Sequence, residues 1–327
     1  MADQSASCPM CAAGKSAQRY HVEIPLLGVR AIRECLACGL FFVTPRPRRQ
    51  ELEEFYGREY YSSTNAGRGY SDYFRKTHAR WGEGYIYGRS LGKTVFEGRA
   101  LEVGAGSGEF LRGVLDGAGW REGFGTDLSA WAVRFASEKC PEVQWFCGSL
   151  EEAHLPDGSF DVVFLRDVLE HVVEPAPLLA EVHRVLKCGA RLFLQVPNAP
   201  ADLTSIARAN RAGKPATNVQ AHLNFFPPRC LRRSLEDRGF VAERIYTLGL
   251  KRGLRNMGYL PRRDKGAQVA SCTAASQAAV PPAAGVAVPR WKYSKFYAWW
   301  RFRMKNSVKL PEWLPLGHEL HAEAHKK

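Results

Sequence analysis

Residues 100–110 read Ala-Leu-Glu-Val-Gly-Ala-Gly-Ser-Gly-Glu-Phe, ALEVGAGSGEF. An apolar run containing one acid, Glu102, leads into three alternating glycines, Gly104, Gly106 and Gly108. This pattern predicts a strand, a tight turn and the opening of a helix. Glycine has no Cβ, so the backbone can turn sharply and a ligand can approach it closely. The helix N-terminus adds unpaired N–H groups and the positive end of a dipole. The spacing is not that of the dinucleotide fingerprint, whose third glycine falls three positions after the second.

Reading outward, GFGTDLSAWAVRFA (residues 123–136) gives a second strand ending in Asp127, then a helix. A carboxylate at the tip of the next strand suits the two hydroxyls of a ribose. Further strands are predicted at Val143–Phe146, Phe160–Leu165, Arg191–Val196 and in VAERIYTLGL (241–250). Helices are predicted over 70–92, 109–118 and within FFPPRCLRRSLEDRGF (225–240), where Pro227 and Pro228 start the helix and Gly239 stops it. The last strand, His318–Lys326, alternates as an antiparallel edge should.

Over residues 97–250 the set LEVGAGSG, GTDLS, LPDGSFDVV, LEHV and RVLKCGARLFLQVPN resembles the class I S-adenosylmethionine-dependent methyltransferases. That resemblance implies a Rossmann-like α/β fold: a seven-stranded, mostly parallel sheet with an antiparallel last strand. It also implies cofactor contacts from Glu102, Gly104, Ala105, Gly106 and Gly108, from Asp127 and Leu128, from Ser149 and Leu150, and from Arg166. Relatives often carry an Asp near position 149, and this chain has Ser149, so the adenine contact there rests on hydroxyl and backbone groups. The stretch Leu165-Arg166-Asp167-Val168 lacks the Asn/Asp-Pro-Pro-aromatic turn of enzymes that methylate base amines. No Pro-Cys pair follows either, so base methylation is disfavoured.

Read as the start of a helix, RDVLEHV places Asp167, Glu170 and His171 at i, i+3 and i+4 on one face. His222, in AHLNFFPP, leads toward the same place in this fold. The pattern resembles methyltransferases that hold a divalent ion, Mg2+ for example, against substrate hydroxyls. The same four residues also read as a metal-free set in which His171 or His222 is the general base, or as structural hydrogen-bonding groups.

Four of the nine cysteines form Cys8-x-x-Cys11 and Cys35-x-x-Cys38, with 23 residues between the pairs. This is the ligand supply of a tetrahedral structural Zn2+ site, with Gly39 suited to the tight turn of the second pair. A ribbon of this kind can read nucleic acid, contact a protein or staple a small module. The other five, Cys140, Cys147, Cys188, Cys230 and Cys272, read as packing or surface residues. The following GLFFVTPRPRRQELEEFYGREYY looks like the junction of zinc-ribbon methyltransferases acting on small molecules or glycans. In that likeness Phe55, Tyr56, Tyr60 and Tyr61 lie near the cofactor entrance, or pack a connecting helix.

The 327 residues carry a net charge of +13, unevenly spread: residues 251–327 hold 15 Lys/Arg against 4 Asp/Glu, and the first 250 hold 31 against 29. An acidic partner should therefore meet the tail. Within it, GAQVASCTAASQAAVPPAAGVAVP reads as disordered. RWKYSKFYAWWRFRMKNSVKL has helical spacing, and residues 291–310 read as a core-capping, membrane-surface or nucleic-acid-binding helix. No apolar run marks a signal peptide or a bilayer span, which points to the cytoplasm, or to the inner membrane face if the tail helix binds there.

The organisation expected is a ribbon at 1–45, a helical cap at 46–95, the methyltransferase core at 96–250, a basic insertion at 251–312 and the last strand at 313–327. The function expected is methylation of a hydroxyl on a glycan, a lipid-linked intermediate or a secondary metabolite. An RNA methyltransferase using ribbon and tail, and a catalytically silent zinc-ribbon adaptor, are the two rival readings.

Overall fold

The computed structural model describes residues 7–55, 77–217, 220–260, 294–297, 299, 302 and 308–327. Tyr56, Tyr60, Tyr61, the Ala/Pro/Val stretch and most of the basic tail helix lie outside them. In chain order the elements are β1 (Ser16–Ile24), β2 (Gly28–Cys35), β3 (Phe41–Thr44), α1 (Arg49–Phe55), α2 (Thr77–Leu91), β4 (Arg99–Val103), α3 (Glu109–Ala118), β5 (Glu122–Asp127) and α4 (Ala130–Lys139). There follow β6 (Gln144–Cys147), β7 (Phe160–Arg166), α5 (Pro175–Val185), β8 (Leu186–Pro197), α6 (Ala199–Arg211), β9 (Ala216–Thr217) and β10 (Asn224–Phe225). The chain closes with α7 (Pro228–Glu236), β11 (Phe240–Leu248), α8 (Leu250–Met257), β12 (Leu310–Pro311) and β13 (Glu319–Lys326).

The large sheet has the order β12-β11-β13-β8-β7-β4-β5-β6. Strands β6, β5, β4, β7 and β8 run parallel, and β13 is antiparallel to both β8 and β11. The seven expected strands are all present, with the antiparallel one where the sequence puts it. The short β12 adds an eighth on the outer edge of β11. Successive connections leave β4 in opposite directions, to β5 and to β7, which opens a crevice beyond the carboxyl ends of those strands. The glycine turn lies there.

Each face of the sheet is covered. On one, Val163, Leu165, Leu192, Leu194 and Leu320 pack under α5 and α7. On the other, Val162 and Phe164 meet Leu111, Val114 and Leu91 of α3 and α2. Helices α2 and α3 touch backbone to backbone: a Cβ on Gly84 would stand 2.0 Å from Phe110 O, and one on Gly113 would stand 2.1 Å from Trp81 O. Gly88 and Gly117 are held as tightly, at 2.1 and 2.2 Å. The four-residue spacing of these glycines puts them on one face of each helix. Trp81 Nε1 donates to Asp116 Oδ2 at 2.6 Å across the same seam. The described aromatic residues Tyr297 and Phe302 of the tail lie against His78 and Tyr87 of α2.

The N-terminal segment forms a second sheet, order β10-β3-β2-β1-β9. Only three of its strands come from the N-terminus. Strand β9 pairs parallel with β1, and β10 pairs antiparallel with β3. The segment after β8 therefore supplies both outer strands of this second sheet. Its first part is helix α6, opened by Asn198 and Pro200. Among the described residues no helix is long and apolar enough to cross a membrane.

Candidate functional site

All three glycines of the turn after β4 are left-handed, with φ of 67°, 55° and 73° at Gly104, Gly106 and Gly108. A Cβ on Gly104 would strike Val168 Cγ2 at 2.4 Å, and one on Gly108 would strike the Trp145 ring at 2.6 Å. Ala105 N donates to Thr126 O at 2.9 Å, and Gly106 N to Asp127 Oδ2 at 2.9 Å. The other Asp127 oxygen accepts from Ser129 N at 2.9 Å. Each carboxylate oxygen has a second lone pair, so the group can still accept from a hydroxyl. Burial raises the Asp127 pKa, and its two N–H bonds oppose that rise.

Glu102 is 3% exposed. Burial lifts its pKa to about 8, against the pull of Arg166 and a hydrogen bond from the Leu111 backbone. Three polar atoms around the turn are buried without a hydrogen-bond partner: Glu102 Oε2, Ser107 Oγ and Thr126 Oγ1. Buried polar groups are rarely left so. Orphaned acceptors and hydroxyls beside a glycine cradle fit a polar ligand such as the amino-acid and ribose ends of S-adenosylmethionine. Leu128, more than half exposed at the mouth, offers an apolar surface.

Three expected contacts sit differently. Ser149 and Glu152 form a reciprocal cap on a short 3-10 turn (Glu151–Ala153): Ser149 N donates to Glu152 Oε2 at 2.8 Å, and Glu152 N to Ser149 Oγ at 3.3 Å. Leu150 is buried in the core. Arg166 turns to the α2 side of the sheet, paired with Glu83 at 3.0 Å and lying over the Phe110 ring at 3.9 Å.

RDVLEHV is a turn, not the start of a helix, and the helix begins only at Pro175. Asp167 has φ of +54°, and its carboxylate accepts from Gln195 Nε2 at 3.1 and 3.2 Å, apart from Glu170 and His171. The physical reason is competition for carbonyls. Glu170 O accepts from Leu223 N at 2.7 Å and Asn224 N at 3.0 Å, and Asn224 Nδ2 donates to Leu169 O and Val172 O. Arg46 donates to Val172 O, Val173 O and Leu223 O.

The turn nevertheless brings Glu170 and His171 to His222, with one ligand atom of each within 4.8 Å of the others. The two imidazoles lie edge to face at 5.0 Å, and His171 Nε2 is 3.6 Å from Glu170 Oε1. Both Glu170 oxygens are buried without a hydrogen-bond partner. Burial drives the Glu170 carboxyl well above its ordinary pKa, and the Asp167 charge adds to this. Burial and the neighbouring His222 hold His171 well below its own. Asp202 of α6 stands 3.6 Å from His222 Nδ1. Sequence reasoning passes over Asp202, Gln195 and Arg46, since nothing local distinguishes them. A neutral imidazole here can take a proton. Two imidazoles and one carboxylate can also hold a divalent ion, a donor set suited to a first-row transition metal more than to Mg2+.

The four thiols of Cys8, Cys11, Cys35 and Cys38 all lie within 4.8 Å of one another. Cys8–Cys38 and Cys11–Cys35 are 3.6 Å apart, far beyond a disulfide. Zn–S bonds of about 2.3 Å imply sulfur separations of about 3.8 Å in a tetrahedron. The spacing fits such a site, and Met10 N already donates to Cys8 Sγ. Gly39, with φ of 79°, makes the turn expected of it.

The family model for a methyltransferase domain matches residues 73–245. That is more than half of the chain, which belongs to this family. A Mycolicibacterium smegmatis protein named "Probable S-adenosylmethionine-dependent methyltransferase" is 35% identical over 98 residues, 30% of this chain and 37% of its own. The ubiquinone biosynthesis O-methyltransferase of Methylococcus capsulatus is 36% identical over 105 residues, 31% of this chain and 44% of its own. The chain spans about a third of the length of the first curated relatives it matches. A SAM-dependent methyltransferase structure from Archaeoglobus fulgidus aligns at 18% identity with a TM-score of 0.43, over 76% of this chain and 94% of that one.

Proposed function

We propose that this chain transfers a methyl group from S-adenosylmethionine to a hydroxyl on a small molecule. The orphaned Glu102 oxygen beside a turn whose Gly104 and Gly108 leave no room for a Cβ is the observation that carries this reading. Glu102 takes the cofactor's ammonium, Asp127 accepts from its ribose hydroxyls, and the backbone of Gly104–Gly108 lines its path. When bound, the cofactor supplies a methyl group activated by its sulfonium. The Glu170–His171–His222 cluster, beyond the end of β7, faces the acceptor. His222, oriented by Asp202, takes the hydroxyl proton as the acceptor oxygen is alkylated. Positioning supplies most of the rate in such a displacement. The likeness to an enzyme named for O-methylation in ubiquinone biosynthesis supports a hydroxyl acceptor. Calorimetry with S-adenosylhomocysteine tests the cofactor half, and absence of binding refutes it. Profiling metabolites after turnover with methyl-labelled cofactor tests the acceptor half, and label found only on nitrogen, carbon or RNA refutes it.

A second reading is favoured by the two buried Glu170 oxygens, which accept no hydrogen bond. Glu170, His171 and His222 would hold a divalent ion that lowers the pKa of the acceptor hydroxyl. Zn2+ in the four thiols would be structural. Turnover insensitive to chelators, in protein that keeps its thiol-bound zinc, refutes the catalytic ion.

A further inference from the structure

The ribbon and the Glu170–His171–His222 turn are joined directly, through strand pairing and a buried arginine. Strand β9 pairs with β1 at Val22 and Glu23, and β10 pairs with β3 at Phe41 and Phe42. Residues 216–225, which carry His222, are thus anchored at both ends on the ribbon sheet. Val43 N adds a bond to Leu223 O at 2.9 Å.

Arg46, two residues past β3, makes the remaining connection. Its guanidinium donates to Leu223 O at 2.9 Å, to Val172 O at 3.0 Å and to Val173 O, bridging both halves of the cluster. All three acceptors are carbonyls. Burial lowers its pKa, and the Cys8 and Glu174 side chains oppose this. Arg238 donates to Met10 O at 2.7 Å, while Arg233 donates to Ala37 O at 2.9 Å. Four thiolates around a divalent ion carry a net charge of about −2. Such a centre would add to Glu174 as counter-charge for the buried arginine.

The ribbon reaches the crevice half on one face of the sheet only, where Cys8, Met10, Leu40 and Phe42 share a core with Leu101 and Val103. The glycine turn bonds to Thr126 and Asp127. The apolar cluster under α3, from Leu91 to Phe164, contains no ribbon residue.

We propose that the metal-loaded ribbon is the positioning element of the acceptor face: through Arg46, β9 and β10 it fixes the Glu170–His171–His222 turn, while the cofactor half keeps its shape without it. This rests on the reading of that turn as the face that meets the acceptor. Hydrogen–deuterium exchange on the full chain tests it, comparing zinc-loaded protein, protein stripped of thiol-bound metal, and zinc-loaded Arg46→Gln and Arg46→Lys. Local opening is what exchange reports. Peptides covering 168–174 and 220–226 should exchange at least about tenfold faster in the stripped protein and in Arg46→Gln. Peptides covering 100–127 should keep their rates, and the S-adenosylhomocysteine Kd should stay within about twofold. Arg46→Lys keeps the charge but loses the fork that spans three carbonyls, so it should behave like Arg46→Gln. Faster exchange throughout the chain would make the ribbon a general staple and overturn the proposal. Unchanged rates at 168–174 and 220–226 in Arg46→Gln would overturn it even if the stripped protein fails to fold. S-adenosylhomocysteine failing to bind the unaltered chain would instead overturn the methyltransferase reading and leave the exchange pattern to judge the clamp.

Discussion

If Glu102 takes the cofactor's ammonium, as proposed, cofactor affinity should depend on pH. Its carboxyl is buried and its pKa stands at about 8, against an ordinary 4.5. At pH 7 it is therefore ionised in only about a tenth of the molecules. A bound ammonium needs the carboxylate, so binding below pH 8 must expel a proton, at about 1.4 kcal/mol per pH unit. Affinity for S-adenosylhomocysteine should climb about tenfold per unit from pH 6 to 8, with nearly one proton released at pH 7. Above that Glu102 is ionised throughout and affinity should level off, falling only where the ligand's own ammonium loses its proton. The sign for stability follows from the same shift. A raised folded pKa means that the protonated form's contribution is complete below pH 4.5 and is lost as pH rises through about 8. Over that window the ligand-free protein gives up on the order of 5 kcal/mol. Titration calorimetry at several pH values, in buffers of different ionisation enthalpy, measures the released proton directly. Glu102→Gln should bind more weakly, with no rising limb and no proton release. If Glu102→Gln keeps the slope, the proton comes from elsewhere and the assignment of Glu102 to the ammonium fails.

Gly84→Ala should cost about 1–3 kcal/mol in urea unfolding, because its Cβ would sit 2.0 Å from Phe110 O and the helices must part; an unchanged midpoint would mean that α2 and α3 do not pack as described. Purified protein should carry one zinc per chain by mass spectrometry of the metal, and Cys35→Ser should lose it, since its thiol is one of the four. For Glu170, whose folded pKa is raised, the protonated form's contribution is lost as pH rises. Glu170→Gln should therefore melt at or above the temperature of the unaltered chain at pH 8 without divalent ions. Millimolar Mn2+ should raise the melting temperature of the unaltered chain and not that of Glu170→Gln, as read by scanning fluorimetry; equal shifts in both would place the ion elsewhere.

The seven strands, the glycine turn, Asp127 and the paired cysteines are legible in the sequence because each is written in contiguous residues. A buried parallel strand is a short apolar run, a left-handed turn calls for glycine, and four thiols at this spacing have few other uses. The α2–α3 seam is also written there, at Gly84, Gly88, Gly113 and Gly117, but in a form that misleads. Glycines inside a helical pattern read as weak points, and only a facing helix reveals them as contact points.

The turn at 167–173 fails for a different reason. Asp167, Glu170 and His171 do have helical spacing, and an isolated peptide would have no reason to decline it. What removes the helix is distant: Arg46 and Leu223, 177 positions apart, meet over the carbonyls that a helix would have used. The cluster survives because a turn, like a helix, can put Glu170 beside His171, whereas Asp167 is lost to Gln195. The same long-range capture explains why β9 and β10 cannot be read from their own residues. Strands β9 and β10 have two residues each, too short for any periodicity, and exist only because β1 and β3 offer them edges. The residues most responsible for the site's shape are therefore those whose own neighbourhood says least. A substitution at Arg46 should for that reason disturb Glu170 and His222 more than Asp127, although it lies closer in sequence to the cysteines than to any of the three.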